Sequence, residues 1–128
     1  MTTDKFINIA IFLAVTAVSL GALGAHSLKE ILSKTELHSF ETGIRYQLFH
    51  AITLLILALN TEKFNHHLKK SLVLMNTGIC LFSFSIYMLS IQNIIGISLS
   101  FLGPITPIGG LLLIASWIVL FFCIKKQA

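Results

Sequence analysis

The sequence predicts an all-α integral membrane protein, a four-helix bundle that forms a single transmembrane domain over residues 1–128. Three observations support this prediction: 55% of the residues are hydrophobic, only 11% are charged, and residues 71–124 contain no Asp, Glu, Lys, Arg or His. A helix in a soluble protein needs a polar face, and helices in this long segment would have none. The predicted spans are about 6–25, 42–59, 72–91 and 107–124, each close to the length that crosses a bilayer.

The first span, Phe6–Ala25, is uncharged, and small residues recur along it at about every fourth position. Such a stripe lets two helices approach closely in lipid, so we expect this span to pack within a bundle. The part of the stripe at Ala17, Gly21 and Ala25 suits a homo-oligomer equally well. Lys5 and the small-residue end also resemble a cleavable signal peptide, but the span of 20 residues exceeds the apolar region of about 7–15 residues in such peptides.

A polar segment, residues 27–40, separates the first two spans. Leu28, Ile31 and Leu32 would share one face of a short helix, which predicts that this helix lies in the membrane interface. Thr35 is the predicted N-cap of the second long helix, which runs to about Leu59.

The last two spans follow a short, basic connection at residues 60–70. Beyond the third span, Gly96, Gly103 and Pro104 indicate a turn. Thr106 is the predicted N-cap of the fourth helix and Pro107 its first residue, because proline's fixed φ and missing N–H suit that position.

Basic residues predict the orientation of the chain. Four spans place both termini and the connection at 60–70 on one side of the membrane, and the positive-inside rule makes that side the cytoplasm. The basic residues on this side are Lys5, Lys63, Lys69, Lys70, Lys125 and Lys126.

The same four-span topology brings polar residues together in the outer half of the bundle. Glu41 and Arg45 are four residues apart on one helix face, so the simplest expectation is a salt bridge between them. The alternative is that Arg45 stays free to bind a lipid phosphate together with the N-terminus of the fourth helix, whose glycines otherwise serve close packing. The candidate ligand-binding residues are His26, Glu41, Arg45, Tyr46, His50, Ser83, Tyr87, Thr106, Gly109 and Gly110.

Other kinds of site are not expected. The histidines lack a second ligand at metal-binding spacing within the spans, so we expect no metal and no cofactor, and no catalytic residue is assigned. The positive charge lies in loops rather than in a compact patch, which argues against nucleic acid as a partner. Cys80 and Cys123 are interpreted as buried thiols, and Trp117 is expected to donate a hydrogen bond to Ser83 or Ser85.

Four blocks of sequence carry a resemblance to a known family: GALGAH at 21–26, TGIRYQLFHA at 42–51, LFSFSIYML at 81–89 and GPITPIGG at 103–110, followed by Trp117. Together they look like the domain-of-unknown-function family 423, which is similar to eukaryotic transmembrane protein 256. The resemblance implies a small four-span protein of the bacterial inner membrane with no established reaction. The family commonly has a glycine where this chain has Phe84.

The function predicted from these observations is that of a non-enzymatic membrane protein supporting envelope integrity. Its polar outer cluster would stabilise the bundle and bind lipid head groups or a partner. Two alternatives stay open at this stage. One is a lipid-modifying enzyme that uses His26, His50 and Glu41, and the other is a carrier of small solutes or ions.

Overall fold

The protein is described by a computed structural model that covers residues 2–126. Four long α-helices account for most of it: α1 Thr3–His26, α2 Lys34–Leu59, α3 Leu68–Ile95 and α4 Ile105–Phe121. The first three helices, and α4 together with the turn before it, are long and apolar enough to cross a membrane. The predicted all-α membrane bundle is therefore confirmed.

Each helix packs mainly against its neighbour in the chain, α1 on α2, α2 on α3 and α3 on α4. We call the end of the bundle with the connections at 27–33 and 96–104 the upper end. The end with both termini and the connection at 60–67 is the lower end. Two open grooves follow from this arrangement, one between α2 and α4 and the other between α1 and α3.

The main apolar core lies in the lower half, where Phe6, Leu54, Met75 and Ile79 of the first three helices are almost fully buried. The small residues of α1 pack as predicted at Ala10 and Ala17, which are also buried. Nearer the upper end, Gly24 rather than Ala25 makes the close contact, because a Cβ at Gly24 would lie 3.3 Å from the ring of Phe40.

The ends of α2 and α4 differ from those predicted. Helix α2 begins at Lys34 with Ser33 as its N-cap: the Ser33 hydroxyl accepts from the Glu36 N–H, and the Glu36 carboxylate accepts from the Ser33 N–H. Thr35 is thus already inside the helix. Helix α4 begins at Ile105 after Pro104, without a side-chain cap, because the Thr106 hydroxyl is bonded to Ser85 instead.

The expected interfacial helix between the first two spans is a single 3₁₀ turn, Leu28–Glu30. Leu32 is buried and Leu28 half-buried, as expected for an apolar face, whereas Ile31 points outward and is 60% exposed. The early start of α2 explains the difference, since it leaves too few residues for a longer helix.

The lower end is closed by the segment after α4. Its backbone pairs with the 60–67 connection, since Asn65 N–H donates to the Cys123 carbonyl and Lys125 N–H to the Lys63 carbonyl. Cys123 is consequently buried, as predicted, but Cys80 is exposed and lines the open groove between α1 and α3. The prediction of two buried thiols was wrong for Cys80, because α1 and α3 leave an open groove at this residue.

Helices α3 and α4 approach each other closely at Gly109. A Cβ on this residue would fall onto the backbone of Phe82, so any side chain would push the two helices apart. Phe84 is 59% exposed and takes no part in this contact.

Candidate functional site

An open groove with a volume of about 810 Å³ lies between α2 and α4. Its walls are mostly apolar, and Phe82 of α3 contributes to its lining between the two helices. The lining residues are Arg45, Tyr46, Leu48, Phe49, His50, Ile52, Phe82, Gly110, Leu113, Ile114 and Trp117.

His50 and Trp117 join the two walls of this groove. Trp117 Nε1–H donates to His50 Nε2 at 3.0 Å, and His50 Nδ1 lies 2.8 Å from the Tyr46 carbonyl oxygen. Because the indole nitrogen only donates, Nε2 must accept and Nδ1 must carry the proton. Both ring nitrogens are therefore occupied in the neutral imidazole, and His50 orients Trp117. The expected bond from Trp117 to Ser83 or Ser85 was wrong, because both serines bond within the α2–α3–α4 packing.

Arg45 stands exposed at the rim of the groove. Its Nη2 donates to Thr42 Oγ1 at 3.1 Å, and across residues 2–126 it has no ion pair with Glu41 or any other carboxylate. The predicted salt bridge is thus replaced by a hydrogen bond from the Arg45 guanidinium to a neutral hydroxyl. Arg45 lies about 21 Å along α2 from Leu59 at the lower end, which places it in the upper half of a hydrocarbon core of about 30 Å. A flexible side chain at that depth reaches the head-group region.

A second set of polar residues lies on the opposite side of α2, mostly buried beside the groove between α1 and α3. Tyr87 Oη donates to Gln47 Oε1 at 2.6 Å, while Gln47 Nε2 donates to the Leu13 carbonyl and to Thr16 Oγ1 at 2.8 and 2.7 Å. Ser83 Oγ donates to the Gly43 carbonyl at 2.8 Å. These bonds tie α1, α2 and α3 together, and the partners on α2 and α3 are buried.

The remaining candidate residues on α4 are also of two kinds: some contact a neighbouring helix, and another lines the groove. Thr106 Oγ1 lies 2.6 Å from Ser85 Oγ and links α3 to α4. Gly109 is buried against Phe82, whereas Gly110 lines the groove, with room for a Cβ at 3.7 Å from the Phe82 ring.

The structure thus separates the predicted residues into three sets. Arg45, Tyr46, His50 and Gly110 share the groove between α2 and α4. Ser83, Tyr87, Thr106 and Gly109 hold helices together. His26 and Glu41 are exposed and lie outside the lining of the groove.

Sequence reasoning missed several residues of these sets. Gln47 and Thr16 form the centre of the buried network, and Phe82 and Phe49 line the groove. Gln47 could have been identified from the sequence, because an amide in the apolar part of a span needs a hydrogen-bond partner in the bundle. Phe82 and Phe49 carried none, since ten phenylalanines occur in the chain.

Chemically, the groove combines a cation, Arg45, that has no acidic partner among residues 2–126 with an apolar, aromatic interior. Such a surface suits an amphiphile with an anionic group at one end. Within residues 2–126, no three His, Cys, Asp or Glu side chains come together in a way that would hold a metal ion.

Comparison with known proteins places this chain among membrane proteins of unassigned activity. Residues 20–110 match the family model described as "Protein of unknown function (DUF423)". The UPF0382 membrane protein YwdK of Bacillus subtilis (strain 168) is 38% identical over 123 residues, covering 94% of this chain and 96% of the relative.

Relatives from two other bacteria are similar along nearly their whole length. A UPF0382 membrane protein of Haemophilus influenzae is 34% identical, with 93% of this chain and 92% of the relative covered. The UPF0382 inner membrane protein YgdD of Escherichia coli (strain K12) is 33% identical, with 90% and 86% covered. No solved structure matches the chain. The likeness to eukaryotic transmembrane protein 256 stays a prediction, whereas the bacterial matches show that the chain belongs to the DUF423 family of membrane proteins.

Proposed function

We propose that this protein is a non-enzymatic binder of anionic phospholipid, with the lipid phosphate at Arg45 and an acyl chain in the groove between α2 and α4. The observation that carries the proposal is the exposed Arg45 guanidinium, which has no acidic partner across residues 2–126 and stands at the rim of an open groove of about 810 Å³.

A phosphate suits Arg45 for a geometric reason. The planar guanidinium presents N–H donors in a fork that matches two oxygens of a phosphate, and its bond to the neutral Thr42 hydroxyl leaves the charge uncompensated. In the bilayer, the apolar walls below Arg45 gain dispersion contacts from an acyl chain that fits between them. Trp117 and Phe49, whose ring centroids are 6.3 Å apart, offer such a chain a broad apolar surface.

The proposed location is the bacterial inner membrane, by analogy with the E. coli relative whose name states it. With both termini in the cytoplasm, as the basic residues favour, Arg45 lies in the outer leaflet. A lipid held there would cover the gap between α2 and α4. Support of envelope integrity would then result from a bundle that stays closed while bound to its lipid.

The alternative of a lipid-modifying enzyme has less support. A general base needs an available nitrogen or carboxylate, but both nitrogens of His50 are hydrogen-bonded to Trp117 and Tyr46. Glu41 and His26 lie outside the lining of the groove. A carrier of small solutes has no specific observation in its favour.

Native mass spectrometry of the protein released from mild detergent tests the proposal. Wild type is expected to retain phosphatidylglycerol added at equal amount with phosphatidylcholine, and Arg45→Gln is expected to lose this preference. Lys29→Ala is the matched control, because Lys29 is an exposed cation near the upper end that does not line the groove. Equal retention of phosphatidylglycerol by wild type and Arg45→Gln would contradict the proposal.

A further inference from the structure

The net charge of the protein is concentrated at the lower end of the bundle. The upper end has equal numbers of basic and acidic residues, namely Lys29, Lys34 and Arg45 against Glu30, Glu36 and Glu41. The lower end has Lys5, Lys63, Lys69, Lys70, Lys125 and Lys126 against Asp4 and Glu62, which accounts for the whole net charge of +4. The lower end therefore attracts anions from outside the chain.

The backbone brings two of these lysines together. The segment after α4 pairs with the 60–67 connection around Phe64 and Ile124, so Lys63 and Lys125 lie opposite each other. Like charges in such positions repel each other. Lys125 Nζ donates to the Glu62 carbonyl oxygen at 3.0 Å, and neither lysine forms a salt bridge within residues 2–126. We call Lys63 and Lys125 the lysine pair.

A pocket of about 190 Å³ lies between the first turns of α1 and α3 and is bordered by the same 60–67 connection. Its apolar wall consists of Phe6, Leu68 and Leu72, each of which is at most 5% exposed. His66 and Lys69 are exposed at the pocket and supply N–H donors, which suit the oxygens of a phosphate. The other lining residues are Thr3, Thr61 and Asn65.

The cations of the lower end lie at the level of the lipid head groups. Lys69 and Lys70 directly precede residues 71–124, which contain no Asp, Glu, Lys, Arg or His. After α4, Phe122 is 71% exposed and Lys125 follows three residues later. Exposed aromatic and basic residues at the end of a span are typical of the boundary between acyl chains and phosphates. A phosphate that reaches these cations is therefore that of a lipid.

We propose that the lower end binds one phospholipid that carries two phosphates, the chemistry of cardiolipin. One phosphate accepts hydrogen bonds from His66 and Lys69 in the pocket, and the other lies at the lysine pair. Basic pockets between the ends of membrane helices suit such head groups. A lipid with a single phosphate leaves one of the two groups of cations without an anion, so phosphatidylglycerol is held only weakly here.

This site is separate from the one proposed in the groove between α2 and α4. Arg45 lies about 21 Å along α2 from Leu59 at the lower end, and none of the residues that line the lower pocket lines that groove. The two sites therefore lie in opposite leaflets, and either one can fail without the other.

Titration of cardiolipin into the protein in mild detergent, followed by native mass spectrometry, tests the proposal. Arg45→Gln is the starting protein, because it removes the upper cation. It is expected to bind one cardiolipin about tenfold more tightly than phosphatidylglycerol. Adding Lys69→Gln should weaken cardiolipin binding by about fivefold, as suits about 1 kcal/mol for one basic residue beside lipid phosphates. Adding Lys63→Gln should bring the affinity for cardiolipin close to that for phosphatidylglycerol.

Two control variants separate the pocket from the general attraction of a positive surface. Lys70→Gln removes an exposed lysine that is adjacent to Lys69 but does not line the pocket, and a smaller loss is expected. Lys29→Gln, at the upper end, should leave cardiolipin binding unchanged. Thermal unfolding without added lipid checks that each variant folds. Cardiolipin bound no more tightly than phosphatidylglycerol, or equal losses in folded Lys69→Gln and Lys70→Gln, would overturn the proposal.

Discussion

Gln47 and Arg45 are two residues apart on α2, so they point to nearly opposite sides of the helix, and their surroundings differ sharply. Gln47 is 5% exposed, and the bonds to Thr16, Tyr87 and the Leu13 carbonyl use both ends of its amide. Arg45 is exposed and has a single bond to Thr42. The polar groups on one side of α2 are satisfied within the chain, whereas the Arg45 charge on the other side has no acidic partner among residues 2–126.

This difference teaches how to interpret polar residues in a membrane helix. A buried amide with every partner in place fixes how helices pack and leaves nothing for a ligand. A cation without an acidic partner beside an open apolar groove retains its capacity to bind. The two sides should therefore respond differently to mutation, the closed side through stability and the open side through lipid binding.

The largest expected effect on stability is at Gly109, where α4 meets α3 beneath the groove. In Gly109→Ala the new Cβ overlaps the Phe82 backbone, and the strain should reduce the free energy of unfolding by about 1–3 kcal/mol or more. Gly110→Ala is the matched control. Its Cβ makes an ordinary contact at 3.7 Å, and the higher helix propensity of Ala should leave stability unchanged or raise it by up to about 1 kcal/mol.

Thermal unfolding in one detergent, followed by circular dichroism, compares the two glycine variants. The apparent Tm should fall for Gly109→Ala and hold or rise for Gly110→Ala. Equal shifts in the two variants would show that the close approach of α3 and α4 at Gly109 is not what the structure describes.

A smaller loss of stability is expected when the closed network of Gln47 is opened. Tyr87→Phe removes the hydroxyl that donates to Gln47 Oε1 and leaves that buried acceptor unpaired, which should cost about 1–2 kcal/mol. Retention of phosphatidylglycerol should be unchanged, because Tyr87 does not line the groove.

The double variant Tyr87→Phe with Gln47→Met sharpens this test. If the cost of Tyr87→Phe comes from the orphaned Gln47 acceptor, the effects of the two substitutions should not add. Chemical denaturation of the single and double variants measures this coupling. Strict additivity would mean that the bond between Tyr87 and Gln47 contributes little to the bundle.

The smallest effect on stability is expected for Arg45→Gln. The variant loses a bond to an exposed neutral hydroxyl, so the free energy of unfolding should change by no more than about 0.5 kcal/mol. Unfolding in detergent without added phosphatidylglycerol measures it. A loss comparable to that of Tyr87→Phe would mean that Arg45 belongs to the closed, stabilising side after all.

The four helices could be predicted from the sequence, because the length of each apolar stretch determines whether it spans the membrane. The exact ends of the helices and the contacts between them could not be predicted in this way. The α2 start was assigned to Thr35, although Ser33 and Glu36 have the spacing of a capping box that sequence alone reveals. The α4 start depends on a tertiary contact: the Thr106 hydroxyl that would cap the helix bonds to Ser85, which is 21 residues away.

The candidate site could be predicted only in part, because it too depends on contacts between helices. The predicted four-span topology alone placed Arg45 and His50 in the outer half of the bundle. The rotation of each helix about its axis determines which residues face a groove and which face a neighbouring helix. Glu41 and Arg45 fit a salt bridge by spacing, yet in the structure Arg45 bonds to Thr42. The partnership of His50 with Trp117, 67 residues away, has no signature in the sequence.

The central claim, that the groove between α2 and α4 holds anionic lipid through Arg45, is tested most directly by the fluorescence of Trp117. Trp117 is the single tryptophan of the chain and lines this groove, so brominated acyl chains that enter the groove quench it by contact. In mixed bilayers, brominated phosphatidylglycerol should quench wild type with about fivefold higher apparent affinity than brominated phosphatidylcholine. The preference should disappear in Arg45→Gln and persist in Lys29→Ala. Equal quenching of wild type by the two lipids, or a preference that survives in Arg45→Gln, would contradict the account.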